Sequence, residues 1–254
     1  MNTVCSVSGL SVLIFGASRG IGAAAARLFA EQGARVVLAA DDLDGLKQQQ
    51  ELLSDIGEVR IVRADVAVAA DIEHAVAEAM AAFGRLDAAV NNAAISQPKT
   101  VLDELAIETF DRVMSVNMRG VFLAMQAEVR AMRAGGGGSI VNTGSIASSV
   151  GMPGMAAYVT SKHAVAGLTK AAALDYAKSN IRVNMVAPGA IDTAMVRAGL
   201  GATAEGRARL EAVTPLGRIA APMEVAQAML WLCSPAASFI TGASLAVDGG
   251  YTIL

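Results

Sequence analysis

Seven short apolar runs recur along the chain, and most are followed by a longer segment in which apolar residues return every three or four positions. The runs fall at 11–15 (SVLIF), 35–40 (RVVLAA), 59–64, 87–91, 139–143, 181–186 and 244–247, each too short for a typical helix. The segments between them carry helical periodicity, clearest at 109–133 and 156–178. This alternation predicts a doubly wound, seven-stranded parallel sheet with helices on both faces and right-handed crossovers. In such a sheet a ligand sits beyond the carboxyl ends of the strands. Residues 194–221, rich in Ala, Gly and Arg, break the alternation and hold no strand. No linker divides the 254 residues, so the chain reads as one domain over 1–254. The glycine run at 135–138 is too short for a tether and reads as the turn before the fifth strand.

Composition narrows the possibilities. Apolar residues make up 54% of the chain, much of it alanine, which suits helices lying close on a sheet. No apolar run approaches the roughly 20 residues of a membrane span, and no basic-then-apolar leader opens the sequence. A net charge of −3 offers no basic field to nucleic acid. Cys5 and Cys233 lie far apart and read as free thiols of a reducing cytoplasm. His74 and His163 stand without cysteine partners, so no metal site is expected.

Two motifs carry chemistry. The first is GASRGIG at 16–22, placed between the first strand and the helical pattern AAAARLFAEQGA. Gly16 permits a tight turn, Gly20 lets a pyrophosphate approach the backbone, and Gly22 lets helix and strand pack closely. The helix N-terminus offers N–H groups and a positive dipole end to phosphates. The second is SIASSVGMPGMAAYVTSK at 145–162. Tyr158 and Lys162 are four apart and share one helical face. An ammonium beside a phenol lowers its pKa towards a usable range, and Ser145 can hold a substrate oxygen for it. A lone pair of this spacing is common; its company here gives it weight.

The second strand ends at Asp41-Asp42-Leu43-Asp44. A carboxylate there accepts hydrogen bonds from ribose hydroxyls and repels a 2′-phosphate, which favours NAD over NADP. Arg19, in the glycine turn, can instead receive a 2′-phosphate. The same acidic cluster also reads as a helix cap in a solvated loop.

Taken in order, these motifs resemble the short-chain dehydrogenase/reductase family, almost from end to end. The resemblance implies a single Rossmann-type domain and cofactor contacts at Gly16, Ser18, Arg19, Gly20, Ile21 and Gly22. Asp65 and Val66 match its adenine-contacting pair. Asn92, Ala93 and Ala94 match part of its NNAG segment. Pro188, Gly189, Ile191 and Thr193 match the loop that holds the nicotinamide. TGASLAVDGG at 241–250 matches the usual last strand and tail. The implied catalytic set is Asn117, Ser145, Tyr158 and Lys162. In it Tyr158 passes the proton, Lys162 lowers the tyrosine pKa and bonds the nicotinamide ribose, and Asn117 holds a relay water. An asparagine in so apolar a helix can also simply bond a backbone carbonyl. Two positions depart from the family. Phe15 stands where it has threonine, so the glycine turn has to be held by packing, and Ala94 replaces the last glycine of NNAG.

The resemblance further implies a lid at 194–221 and a homotetramer built on 109–133 and 156–178. Its pocket positions are Ser96, Ile146, Met152, Met155, Met195 and Val196, mostly apolar, so an uncharged cyclic or branched alcohol or ketone is expected. The methionines also read as lid-packing core. Two other functions remain open at this point. One is an NADPH-dependent 3-oxoacyl-carrier-protein reductase, with Arg130, Arg133 and Lys178 as a docking patch. The other is a non-catalytic cofactor sensor, a class that typically loses the tyrosine or lysine kept here.

Overall fold

The computed structural model describes residues 5–253; residues 1–4 and 254, the ends of the expected domain, lie outside the described residues. The seven runs form seven parallel strands: β1 (Ser11–Phe15), β2 (Arg35–Ala40), β3 (Val59–Arg63), β4 (Ala88–Asn91), β5 (Gly138–Thr143), β6 (Ile181–Pro188) and β7 (Ser244–Val247). They are ordered β3-β2-β1-β4-β5-β6-β7. All five residues of β1 are buried. A central parallel strand is covered on both faces, which is why it reads as an unbroken apolar run.

Period-two alternation divides the core. Leu13 and Phe15 face one layer together with Val37, Ala89 and Val183. Val12 and Ile14 face the other with Val36, Leu38 and Val90. Helices α1 (Gly20–Glu31), α2 (Leu43–Leu53) and α9 (Pro222–Cys233) cover the second layer. Helices α3 (Ala69–Phe83), α5 (Gly120–Ala134) and α6 (Ala156–Tyr176) cover the first. Phe15 and Asn91 are register partners at the ends of β1 and β4. The chain leaves β1 towards β2 on one side and returns to β4 on the other, so a crevice opens above this pair.

The helix expected over 109–133 is not continuous. It divides into α4 (Ile107–Met114), a π-turn (Ser115–Arg119) and α5. π-Turns of this kind are frequent at functional sites, and this one contains Asn117. Residue 120 has to be glycine, because a Cβ there would stand 2.9 Å from the carbonyl of Val66.

Residues 194–221 form two short helices, α7 (Ala194–Ala198) and α8 (Ala204–Ala212), neither with a buried residue. A bridge from Ile191 to Ala220 closes their base. Asp192 ties both helices down through Arg197 (2.9 Å) and Arg207 (3.1 Å). Among the described residues no helix is long and apolar enough to cross a membrane.

Candidate active site

The glycine turn forms one lip of the crevice. Gly16 has φ +73°, and a Cβ there would lie 2.7 Å from the Cα of Ala93 on the opposite lip. A Cβ on Gly22 would lie 2.0 Å from the carbonyl oxygen of Gly16. Phe15 is sequestered in the core and contributes no hydroxyl. The turn is nevertheless not held by packing alone. The Asn92 side-chain amide donates to the Gly16 carbonyl at 3.1 Å, and the Asn92 N–H donates to the Phe15 carbonyl at 3.2 Å. Asn92 thus links the two lips directly, whichever residue occupies position 15.

Helix α1 starts without a capping side chain and without an acidic residue in its first turn. Its first N–H groups have no partner within the helix, and they open on the crevice lined by Ser18, Arg19, Gly20 and Ile21. This arrangement suits the phosphates of a dinucleotide. The three aspartates after β2 divide their work. Asp42 caps α2, accepting from the Gly45 N–H at 3.0 Å. Asp44 is exposed near Lys47. Asp41 alone lines the crevice, as does Arg19. The cap reading of the acidic cluster thus falls to Asp42, and Asp41 is the carboxylate left facing the crevice.

Asp65 and Val66 line the crevice beyond Asp41. Asp65 accepts from the Ala67 N–H at 2.8 Å and stands 3.8 Å from Arg112. Arg112, on α4, also faces the crevice. It belongs to no motif, and nothing in the local pattern marks it.

At the other end Ser145, Tyr158 and Lys162 meet on the same crevice. Ser145 caps a one-turn 3₁₀ segment (Ile146–Ser148), and its hydroxyl oxygen accepts from the Ala147 N–H at 3.1 Å. That bond uses a lone pair and leaves the hydroxyl proton to be donated to the Tyr158 phenol or to a substrate oxygen. The buried Lys162 donates to the Thr143 carbonyl at 2.8 Å, with its nitrogen 5.8 Å from the centre of the Tyr158 ring. Burial pushes the Lys162 ammonium down to about 8. Burial also raises the Tyr158 phenol above its ordinary value, while the Ser145 hydroxyl pulls it down. Lys162 is not among the causes of that shift, which burial dominates.

Asn117 is fully buried. Its side-chain oxygen accepts from the Ile95 N–H at 2.8 Å, and its nitrogen donates to the Ile95 carbonyl at 2.9 Å and to Ser161 at 3.2 Å. The carbonyl-bonding reading is the one the geometry favours. The side chain clamps the loop after β4 and has no N–H left for a relay water. Gln97 plays a similar part that sequence reading missed. It accepts from the Tyr158 N–H at 2.9 Å and donates to the Gly154 carbonyl at 3.1 Å, anchoring the first turn of α6.

Pro188, Gly189, Ile191 and Thr193 line the same crevice as Ser145, Tyr158 and Lys162, together with Asn92, Ala93 and Ala94. Thr193 also caps α7 through the Val196 N–H. Of the six expected pocket positions, Met195 and Val196 face the crevice. Ser96, the buried Ile146, Met152 and Met155 are not among its lining residues. Arg130 and Arg133 share a surface depression with Tyr176, but Arg130 is already ion-paired to Glu73.

The family model described as Enoyl-(Acyl carrier protein) reductase matches residues 16–252. The chain is 42% identical to a 2,5-dichloro-2,5-cyclohexadiene-1,4-diol dehydrogenase of Sphingobium indicum, over 98% of this chain and 99% of the relative. It is 46% identical to a cis-4-hydroxycyclohexanecarboxylate dehydrogenase of Sinomonas cyclohexanicum, over 94% and 95%. The solved structure of a 3-ketoacyl-(acyl-carrier-protein) reductase from Brucella melitensis, complexed with NADH, superposes with a TM-score of 0.91. That protein is 34% identical, and the match covers 97% of this chain and 100% of that one.

Proposed function

We propose that this chain, which belongs to the short-chain dehydrogenase/reductase family and is an NAD(P)-dependent oxidoreductase of CH–OH groups, interconverts a neutral cyclic secondary alcohol and its ketone. The observation that carries this reading is the convergence of Ser145, Tyr158 and Lys162 on a crevice whose other end is a glycine cradle. The apolar Met195 and Val196 beside it suit an uncharged ring. Ring alcohols are named in the activities of both enzymes cited above.

The N–H groups at the start of α1 would hold the pyrophosphate, Asp41 the adenosine ribose, and Asp65 and Val66 the adenine. Residues 92–94 and 188–193 would flank the nicotinamide, and Lys162 would reach its ribose. The nicotinamide, when bound, accepts or returns the hydride. Ser145 then orients the substrate oxygen through its hydroxyl, beside the Tyr158 phenol. Tyr158 removes the hydroxyl proton in oxidation and returns a proton to the carbonyl oxygen in reduction. Asn117 acts as a positioning residue for the loop that carries Ala93 and Ala94.

The cofactor is NAD rather than NADP. A carboxylate near a 2′-phosphate costs enough, even after screening, for roughly a tenfold preference. A panel of cyclic alcohols and ketones, assayed with both cofactors by nicotinamide absorbance, tests substrate and cofactor together. Turnover of cyclic alcohols with higher kcat/KM for NAD is the expected result. Equal or better values with NADP mean that Arg19 decides the site. Activity confined to carrier-linked 3-oxoacyl substrates supports the carrier-protein reading.

The protein assembles as a homotetramer through α5 and α6. The small residues of α6 divide: Ala157, Ala172 and Ala173 are spent inside the monomer, while Gly167 and Ala171 remain exposed beside Leu174, itself 81% exposed. Phe122 on α5 is 42% exposed. Sedimentation velocity at micromolar concentration is expected to give a tetramer; a stable, active monomer overturns this.

A further inference from the structure

Beneath the crevice lies a polar chain that the proposed chemistry does not use. Glu128, on the sheet side of α5, is fully buried. The Asn91 amide donates to one oxygen of Glu128 at 3.1 Å and to the Asn142 side-chain oxygen at 3.0 Å. Asn142 donates in turn to Thr169 at 3.0 Å and to the Met125 sulfur at 3.2 Å. Thr169 donates to the Val165 carbonyl at 2.8 Å. Two side-chain atoms of this polar network are buried without a partner: Oδ1 of Asn91 and Oε1 of Glu128. They belong to the two groups already joined by one hydrogen bond. A single proton on Oε1, donated to Oδ1, would satisfy both and close an acid–amide ring. A carboxylate there leaves both oxygens orphaned, at a cost of the kind that native interiors avoid.

We propose that Glu128 stands in the fold as a neutral carboxylic acid whose proton is donated to Asn91, and that this ring positions the floor of the active site. The positioning half rests on the reaction proposed above. Asn91 precedes Asn92, which holds the glycine turn. Asn142 precedes Thr143, whose carbonyl holds Lys162. Thr169 lies on α6, two turns beyond Lys162. The network therefore ties together the ends of β4 and β5 and the helix that carries the tyrosine and lysine.

The surroundings favour the neutral form. Helix α5 packs on α3, α6, β4, β5 and β6. The side chains joined to Glu128 from β4, β5 and α6 are Asn91 directly and Asn142 and Thr169 through it, none of them charged. Helix α3 turns Ala75, Val76 and Ala79 inward, while its Glu73, His74 and Glu78 are exposed. From β6 the layer receives Val183 and Met185, and Lys162 is engaged by Thr143. Burial accordingly pushes the Glu128 carboxyl up to about 8, with the Asn91 hydrogen bond pulling the other way.

Glu128→Gln mimics the protonated acid, since an amide N–H replaces the O–H. The wild-type chain is compared with this variant and with Glu128→Leu. A group protonated to higher pH when folded than when unfolded loses its stabilising effect as pH rises between the two values. The wild-type melting temperature is therefore expected to fall relative to Glu128→Gln from about pH 4.5 to about 8, then to run parallel. Infrared difference spectra between the two are expected to contain a protonated carboxyl band at neutral pH. In activity, Glu128→Gln keeps kcat and the cofactor KM, whereas Glu128→Leu loses up to about 100-fold in kcat. Melting curves that stay parallel throughout, or no carboxyl band at neutral pH, overturn the neutral acid. These two readouts need no substrate, so they stand apart from the reaction assigned. A band present with Glu128→Gln as impaired as Glu128→Leu overturns the positioning role.

Discussion

Tyr158→Phe is expected to lose about 10²–10⁴-fold in turnover while binding the cofactor almost as the wild type does. The substitution removes only the hydroxyl. The ring keeps its place, because Gln97 holds the Tyr158 backbone N–H and Lys162 is secured separately by the Thr143 carbonyl. Steady-state turnover with a cyclic alcohol, beside cofactor binding followed by nicotinamide fluorescence, measures the two effects independently. Retention of more than roughly a tenth of the activity means that another group moves the proton. The pH dependence carries a sign as well. Burial holds the proton on Tyr158, so alcohol oxidation, which needs the phenolate, is expected to climb into the alkaline range. Ser145 pulls the phenol down, so Ser145→Ala should move that limb further up, apart from its loss in rate.

Gly22→Ala is expected to raise the cofactor KM at least about tenfold, which is near 1.4 kcal/mol of binding. It should also destabilise the fold by about 1–3 kcal/mol. The added Cβ would lie 2.0 Å from the Gly16 carbonyl oxygen and 2.8 Å from the Asn92 amide. Neither can retreat. The Gly16 N–H is bonded to the Ala39 carbonyl at 2.7 Å, and a Cβ on Gly16 itself would already meet Ala93. Helix α1 must move instead, carrying its N-terminal N–H groups away from the phosphates. Gly135→Ala, whose Cβ would meet nothing closer than 3.6 Å, is the control and should leave the cofactor KM unchanged. Thermal unfolding beside cofactor titration separates the two effects, and a Gly22→Ala protein with wild-type cofactor KM shows that the turn is not the phosphate cradle.

What the sequence determined by itself is everything carried by near neighbours in the chain. The strands were legible because a parallel sheet buries both faces, so each strand is written as an apolar run. The glycine turn was legible because Gly16 and Gly22 answer steric demands a few residues apart. Tyr158 and Lys162 were legible because one helical turn aligns them. What the tertiary structure decided depends on residues brought together from far along the chain. Asn92 reaches across 76 residues to hold Gly16, which no local pattern around Phe15 announces. The amide of Asn117 is closed on Ile95, 22 residues away, and the helix yields a π-turn around it. The acidic cluster divided into a cap and a crevice residue only once α2 had a direction. The order of Tyr158 and Lys162 pKa effects likewise followed from burial rather than spacing. Sequence periodicity records which face of an element is apolar, but not which element that face meets. Strand order, closeness of approach and the dryness of a site are properties of the packed sheet, and they determine what each polar side chain is free to do.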